Sequence, residues 1–425
     1  MSSSCPEGRL LAGASAGAVL RRTAIAGFVS AAALLAGSRD AGAEQWYLVP
    51  SAETSAEWNS NREMTEREEL EDPGAGYRLV AGLAAGVRTP RGALELRPRV
   101  QLQEFPDRSG VDPVDGTLDA DGFRRFAKGE ASLRARYARQ DVYNAEYGSA
   151  GFDERDPADP GIDASGIVLV GGRRDTLEFE PTLRWQLNPL TAIEAGVEYE
   201  QVDYQQSIGF RREGYDSLRG DVGWARALSP RMEFQAGPYV ARFESETGGN
   251  ETDTLGLRLG ARYRWSAVTY LSLAVSGERN EITNSRTGQF GTKVNDWGLE
   301  ASGSSSHAVG VLRYAVGRFI APSTLGTRRV SDQLRLQYSH DLAPLTRFAG
   351  ALRLSRDRRV GSNGTGERDR ALVELTLIRQ LTSTLAVSGG ARYAWQDFGT
   401  EAARNTGVFL GLVYQGLDRR EAAFR

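Results

Sequence analysis

Apolar and polar residues alternate along most of this chain with a period of two, in runs of about ten residues parted by turns. In 92–105, Leu94, Leu96, Pro98, Val100 and Leu102 fall on one side, and Glu95, Arg97, Arg99, Gln101 and Gln103 on the other. In 254–265, Leu255, Leu257, Leu259, Ala261, Tyr263 and Trp265 oppose Gly256, Arg258, Gly260, Arg262 and Arg264. Near the end, Leu385, Val387, Gly389, Ala391, Tyr393 and Trp395 oppose Ala386, Ser388, Gly390, Arg392 and Ala394. Each run is a strand with one greasy face and one polar face. The runs meet in recurring hairpins. The clearest turn at Leu187-Asn188-Pro189-Leu190, Leu228-Ser229-Pro230-Arg231, Leu342-Ala343-Pro344-Leu345 and Leu381-Thr382-Ser383-Thr384, with weaker copies near Ser266-Ala267 and Ser306-His307. Their spacing of roughly 40 residues suits two strands and two connections.

A soluble β-sandwich would also alternate. It would rarely carry Arg at nearly every polar position and close its apolar face on Trp or Tyr. Aromatic ends on the apolar face match the interfacial girdles of membrane barrels. The pattern therefore predicts an all-β fold, a transmembrane antiparallel up-and-down β-barrel of about 18 strands, with 16 as the alternative. The predicted early strands are Trp46–Trp58, Gly76–Val87, Gly92–Phe105, Phe126–Tyr137 and Gln140–Tyr147. The middle ones are Arg174–Leu187, Thr191–Gln206, Ser217–Ala227, Met232–Ser245, Thr254–Trp265 and Tyr270–Thr283. The last are Val294–Gly303, Ala308–Phe319, Val330–Ser339, Thr346–Asp357, Asp369–Arg379, Thr384–Gln396 and Thr406–Tyr414. Short and long connections alternate, which places the short turns in the periplasm, the long loops outside and both ends of the barrel in the periplasm.

The first 43 residues read as a cleaved signal peptide, leaving 44–425 as the barrel. Arg21 and Arg22 precede an Ala-rich apolar stretch, Thr23 to Leu35, and Ala41-Gly42-Ala43 supplies a small-x-small cleavage pattern. The stretch is too short to span a membrane as a helix. Export points to the outer membrane of a Gram-negative bacterium. Cys5, the one cysteine, falls in the removed part, which excludes disulfides and thiolate metal sites in the mature chain.

Composition narrows the picture further. A mean hydropathy of −0.41 over 425 residues rules out a polytopic helical membrane protein and is normal for barrels, where every second residue faces water. A net charge of −3 argues against nucleic acid as a partner.

The final run, Asn405-Thr406-Gly407-Val408-Phe409-Leu410-Gly411-Leu412-Val413-Tyr414, looks like the signal by which the outer-membrane insertion machinery selects its clients, although Gln415–Arg425 follow it. With the opening Trp46-Tyr47-Leu48-Val49-Pro50 and the Leu-x-Pro and Leu-Thr-Ser-Thr hairpins, the mature chain resembles the outer-membrane β-barrel porins found beside exopolysaccharide export genes. That resemblance implies a pore serving polysaccharide secretion together with export components. It transfers no functional residue.

The alternation sends Arg97, Arg99, Arg134, Arg136, Arg184, Arg258, Arg262, Arg264, Arg313, Arg335, Arg353 and Arg392 into the lumen. An acidic wall of Glu178, Glu180, Glu194, Glu198 and Glu200 faces them, so a transverse field would orient solutes in transit. Two readings stand for the arginines. They line a path for anions, which a guanidinium grips with two parallel hydrogen bonds, or they pair with the lumenal acids and brace the wall. Of 52 basic residues only Lys128 and Lys293 are Lys, a bias that a GC-rich genome would produce whatever the substrate. Glycines at Gly256, Gly260, Gly298 and Gly390 suggest open space.

The longest connection, 148–173, is the third external loop and a candidate constriction. It carries Asp153, Glu154, Asp156, Asp159 and Asp163, whose spacing fits no defined calcium loop, so no metal or cofactor is expected. Enzymatic chemistry is not expected either. The only histidines, His307 and His340, fall at predicted periplasmic turns, away from any nucleophile on an inward strand. The expected function is an outer-membrane pore for polar or anionic solutes, with an exopolysaccharide conduit as its finer form. The alternative is a filled barrel that works as a surface binding or envelope-structural protein through its loops.

Overall fold

The computed structural model describes residues 45–62, 64, 73–105, 114–147, 172–205, 212–246, 249–284, 289–323, 327–359, 367–397, 399 and 402–416. The first six strands are β1 (Gln45–Asn59), β2 (Gly74–Thr89), β3 (Gly92–Glu104), β4 (Val114–Phe126), β5 (Gly129–Asp141) and β6 (Arg173–Asn188), with a short helix α1 (Val142–Tyr147) after β5. The next six are β7 (Thr191–Gln205), β8 (Tyr215–Ser229), β9 (Met232–Ser245), β10 (Asn250–Arg264), β11 (Thr269–Asn284) and β12 (Gln289–His307). The last are β13 (Gly310–Ser323), β14 (Thr327–Ala343), β15 (Thr346–Arg359), β16 (Arg368–Gln380), β17 (Leu385–Asp397) and β18 (Ala402–Gln415). Every strand pairs antiparallel with its sequence neighbours, and β1 closes on β18 from Ser51↔Gln415 to Asn59↔Gly407. The result is one closed sheet of 18 strands. Closure leaves no sheet edge, which a strand-built membrane protein requires. No helix among the described residues is long and apolar enough to cross a membrane.

The outer surface is the greasy face of the alternation. On β10, Leu255 (61% exposed), Leu257 and Leu259 lead down to Trp265 (65%). Ten residues of strand rise about 34 Å, or about 24 Å once tilted by roughly 45°, which matches the apolar height of a bilayer. Above the band the outward positions turn polar within two residues. Leu255 gives way to Asp253, Val240 to Arg242, Leu334 to Asp332 and Leu354 to Arg356.

Eight short turns form the opposite rim. Each is stitched to the next strand by a backbone hydrogen bond. The N–H groups of Arg125, Gln186, Ala227, Arg264, Ser306, Asp341, Gln380 and Gln415 donate to the carbonyls of Arg91, Lys128, Leu190, Arg231, Val268, Val309, Leu345 and Thr384, at 2.6 to 2.9 Å. These equivalent bonds set all eight turns in a single ring.

Two strand assignments change. The predicted strand Phe126–Tyr137 is β5, shifted, and the predicted strand Gln140–Tyr147 is the end of β5 plus α1. The true β4 lies in the stretch expected to be the loop 106–125. Its sequence, VDGTLDADGFRRF, is rich in Asp and Gly, which are depleted in strands. Packing between β3 and β5 overrides that propensity. The total of 18 holds because the two errors cancel. The predicted leader, 1–43, lies outside the described residues, as do 148–171 with Asp153, Glu154, Asp156, Asp159 and Asp163.

Candidate functional site

The lumen is built from the inward halves of the alternation. Strand register carries all twelve predicted arginines to the inner face, and it does so even on β5, whose bounds moved, because parity survives a shift of strand ends. A cavity of about 1030 Å³ runs along the β3–β12 side of the lumen. Glu178, Glu180, Glu194, Glu198 and Glu200 all line it, together with Arg134, Arg136, Arg258 and Arg262 of the predicted set. Alternation alone did not single out Arg88, Arg219, Asp121 and Asp221, which share the lining with Glu95 and Glu300. In all, six arginines and nine carboxyl groups meet the cavity, so acidic residues outnumber basic ones there.

Most of these arginines are engaged. Arg97 pairs with Asp121, and its other nitrogen lies 3.2 Å from Glu95. Arg134 donates to Glu180 at 3.1 Å, Arg258 to Glu300 at 2.6 Å and Arg392 to Glu374 at 3.1 Å. Arg184 bridges Glu194 and Glu233 at 2.5 and 2.6 Å. Arg136 lies 3.8 Å from Asp119. On the acidic side, Glu200 accepts a hydrogen bond from Tyr215 at 2.9 Å and faces Arg174 at 3.6 Å. These pairs lace neighbouring strands across the inner wall.

Arg99 and Arg264 are exposed, and neither lines the cavity. The remaining arginines lie on β13–β15. Arg335 and Arg353 stand directly opposite one another in register and are 3% and 9% exposed, so this part of the wall is covered rather than water-lined. Like charges directly opposite are unfavourable in a sheet. Higher on the same wall Asp357 gathers two more, accepting from Arg329 and Arg370 at 2.8 Å each and from the Ser331 hydroxyl.

Two groups of residues fold inside the mouth, and neither left a signal in the alternation. The first is Asn61, Arg62, Met64 and α1. Met64 and Tyr143 pack with Leu372, Ala394 and Ala403 on the inner faces of β16–β18. The Arg62 guanidinium lies over the rings of Phe105 and Tyr143 at 4.5 and 4.6 Å, donates to Gln103 at 3.2 Å and sits 3.8 Å from Asp141. Asn405 ties the group to β18, accepting from the Asn61 N–H at 3.1 Å and donating to the Tyr143 hydroxyl at 3.0 Å.

The second is the upper β13–β14 hairpin. The β12–β13 ladder runs only from Leu299↔Arg318 to His307↔Gly310, whereas β13 and β14 stay paired up to Ser323↔Thr327. Above Arg318 the hairpin therefore leaves the wall and leans inward. Arg328 at its tip donates to Thr254 Oγ1 at 2.5 Å and Asn280 Oδ1 at 2.8 Å, and lies 3.5 Å from Glu278, all on the inner faces of β10 and β11. The hydroxyl of Tyr239 also donates to Glu278, at 2.7 Å.

The inward glycines are seats more than open space. The Tyr239 ring covers Gly256, Phe409 covers Gly390 and the Ser276 hydroxyl abuts Gly298; of the four predicted glycines only Gly260 has room for a methyl group, with its nearest neighbour 3.6 Å away. His307 ends β12 beside a short turn and His340 stacks on Tyr338 near the end of β14, both at the turn-bearing rim as expected. Among the described residues no group of three or more His, Cys, Asp or Glu is placed to hold a metal ion.

A closed antiparallel barrel of even strand number, with an apolar girdle, short turns at one end and a charged interior, is the architecture of bacterial outer-membrane proteins. This chain has the fold of a bacterial outer-membrane β-barrel. No protein-family profile matches it, and no curated protein matches it in sequence. Similar solved structures include Pseudomonas aeruginosa OccK2 (OpdF) in complex with glucuronate, 13% identical, covering 88% of this chain and 98% of that one at a TM-score of 0.47. OpdO of the same organism is 13% identical over 88% of this chain and 97% of its own, with a TM-score of 0.45. Acinetobacter baumannii OccAB3 is 10% identical over 87% and 99%, with a TM-score of 0.43.

Proposed function

We propose that this barrel is a passive channel for small polar solutes. The observation that carries the reading is the cavity of about 1030 Å³ whose lining is charged on every side but biased toward carboxylates. Such a lining solvates ions and zwitterions and rejects apolar solutes. The arginines stay in the reading as one partner of the transverse field. Because Arg134, Arg184 and Arg258 already hold carboxylates, their first effect is to brace the wall. The water-lined side is then net negative, which favours cations modestly over anions. This departs from the anionic preference suggested by the arginine count alone.

Small solutes fit better than a polysaccharide chain, because the Arg62–Tyr143 group and the β13–β14 hairpin both occupy the mouth. Insertion through the recognition of β18 by the assembly machinery accords with its alternating, Gly-containing sequence.

Single-channel recording of the refolded protein in a planar bilayer tests the proposal. The expected result is a small, steady conductance with weak cation selectivity in a salt gradient, and Glu198→Gln with Asp221→Asn should move the reversal potential toward anions. Strong anion selectivity would overturn the charge argument. A folded barrel that never conducts would overturn the channel reading in favour of a filled barrel working through its loops.

A further inference from the structure

The ring of eight turns carries a pattern that the lumen does not explain. The residue whose carbonyl closes each turn is equivalent from hairpin to hairpin. At three of these positions stand cations, Arg91, Lys128 and Arg231, all exposed. At four stand apolar residues, with Leu190, Val268, Val309 and Leu345 each about half exposed (57, 55, 49 and 57%). The eighth is Thr384, and no carboxylate occupies the position. Arg124, Arg226 and Arg379 add outward cations within a turn of the same ring. The opposite rim differs: Glu244, Glu251, Asp253 and Glu281 are outward acids near Arg242 and Arg279.

We propose that this periplasmic ring binds anionic phospholipid headgroups of the inner leaflet. Four apolar turn residues held at one height would be costly in water and fit the boundary between acyl chains and headgroups. That seating puts the three cations at the level of the lipid phosphates, where each adds attraction. Taking Arg379 with the eighth turn, every turn carries one kind or the other: cations stand at the first, second, fourth and eighth, and apolar residues at the third, fifth, sixth and seventh. A surrounding plane of lipid matches that distribution, whereas a single protein partner would select one sector. The turns are only two to four residues long, so little of the described chain projects below the ring to hold it off the leaflet.

The test is native mass spectrometry of the full protein released from nanodiscs holding equal parts phosphatidylglycerol and phosphatidylcholine. The wild type should retain phosphatidylglycerol preferentially. Removing the charge with Arg91→Gln, Lys128→Gln and Arg231→Gln together should cut that preference by about tenfold or more, from roughly fivefold per cation. Arg242→Gln with Arg279→Gln on the opposite rim, a control of equal charge type, should leave it unchanged. Equal retention of both lipids by the wild type would overturn the proposal. So would a preference that survives the triple variant, or one lost only in the control. Neither readout depends on conductance, so failure here is distinct from failure of the channel reading.

Discussion

Replacing Arg328 by Ala should release the β13–β14 hairpin and widen the channel. Arg328 reaches the wall through two hydrogen bonds, at 2.5 and 2.8 Å, and an ion pair with Glu278, and the two side chains of that pair are 11% and 4% exposed. Removing one partner of a buried ion pair typically costs about 3–5 kcal/mol, because the other charge is left without compensation. The hairpin is bonded to β12 only below Arg318, so the loss falls on the tip and not on the whole barrel. A penalty of about 3 kcal/mol shifts the held-to-released ratio by roughly a hundredfold. Single-channel records of the variant should then show a larger mean conductance with added flicker, while the thermal unfolding of the barrel changes little. The double variant with Glu278→Gln should add much less than the sum of the two single effects, since the partners are in contact. Conductance and noise identical to wild type in Arg328→Ala would refute the idea that this contact holds the hairpin across the lumen.

Other outcomes follow from the same geometry. Asp357→Asn leaves the buried Arg329 and Arg370 without their shared carboxylate and should lower stability by about 3–5 kcal/mol, read from urea unfolding in detergent or lipid. Gly256→Val puts a branched side chain where the Tyr239 ring lies; it should cost about 1–3 kcal/mol and break the Tyr239–Glu278 bond, giving a channel noisier than wild type. Glu300→Gln removes the partner of the half-exposed Arg258 and should shift the reversal potential toward anions with little change in stability, as expected of an ion pair in contact with water.

The period-two pattern made the wall legible because burial on one face and water on the other impose it at every step. The side of the sheet on which an arginine falls does not change where strand ends move, since parity is insensitive to the exact terminus. β4 escaped because Asp115, Asp119 and Asp121 with Gly116 and Gly122 read as a solvated loop, although Asp119 and Asp121 serve as partners for Arg136 and Arg97. α1 was read as strand because Val142–Tyr147 is too short to show a helical period. The inward folding of Arg62 and Arg328 was invisible for a different reason. Each depends on partners tens of residues away, such as Gln103 and Thr254, and a local pattern holds no trace of them. Pairing is also what separates the two readings left open for the lumen. Whether an arginine is a ligand for solutes or a brace depends on the distance to its nearest acid, which alternation does not contain.

The wall is joined unevenly. The ladder between β1 and β18 spans only Ser51–Asn59, and that between β12 and β13 only Leu299–His307, whereas β1 and β2 match along the whole of Gln45–Asn59. These two short joints divide the cylinder into a panel of twelve strands, β1–β12, and one of six, β13–β18. The cylinder is thus less a uniform tube than a hinged pair of shells. Amide protons along the two joints should exchange before those in the middle of either panel.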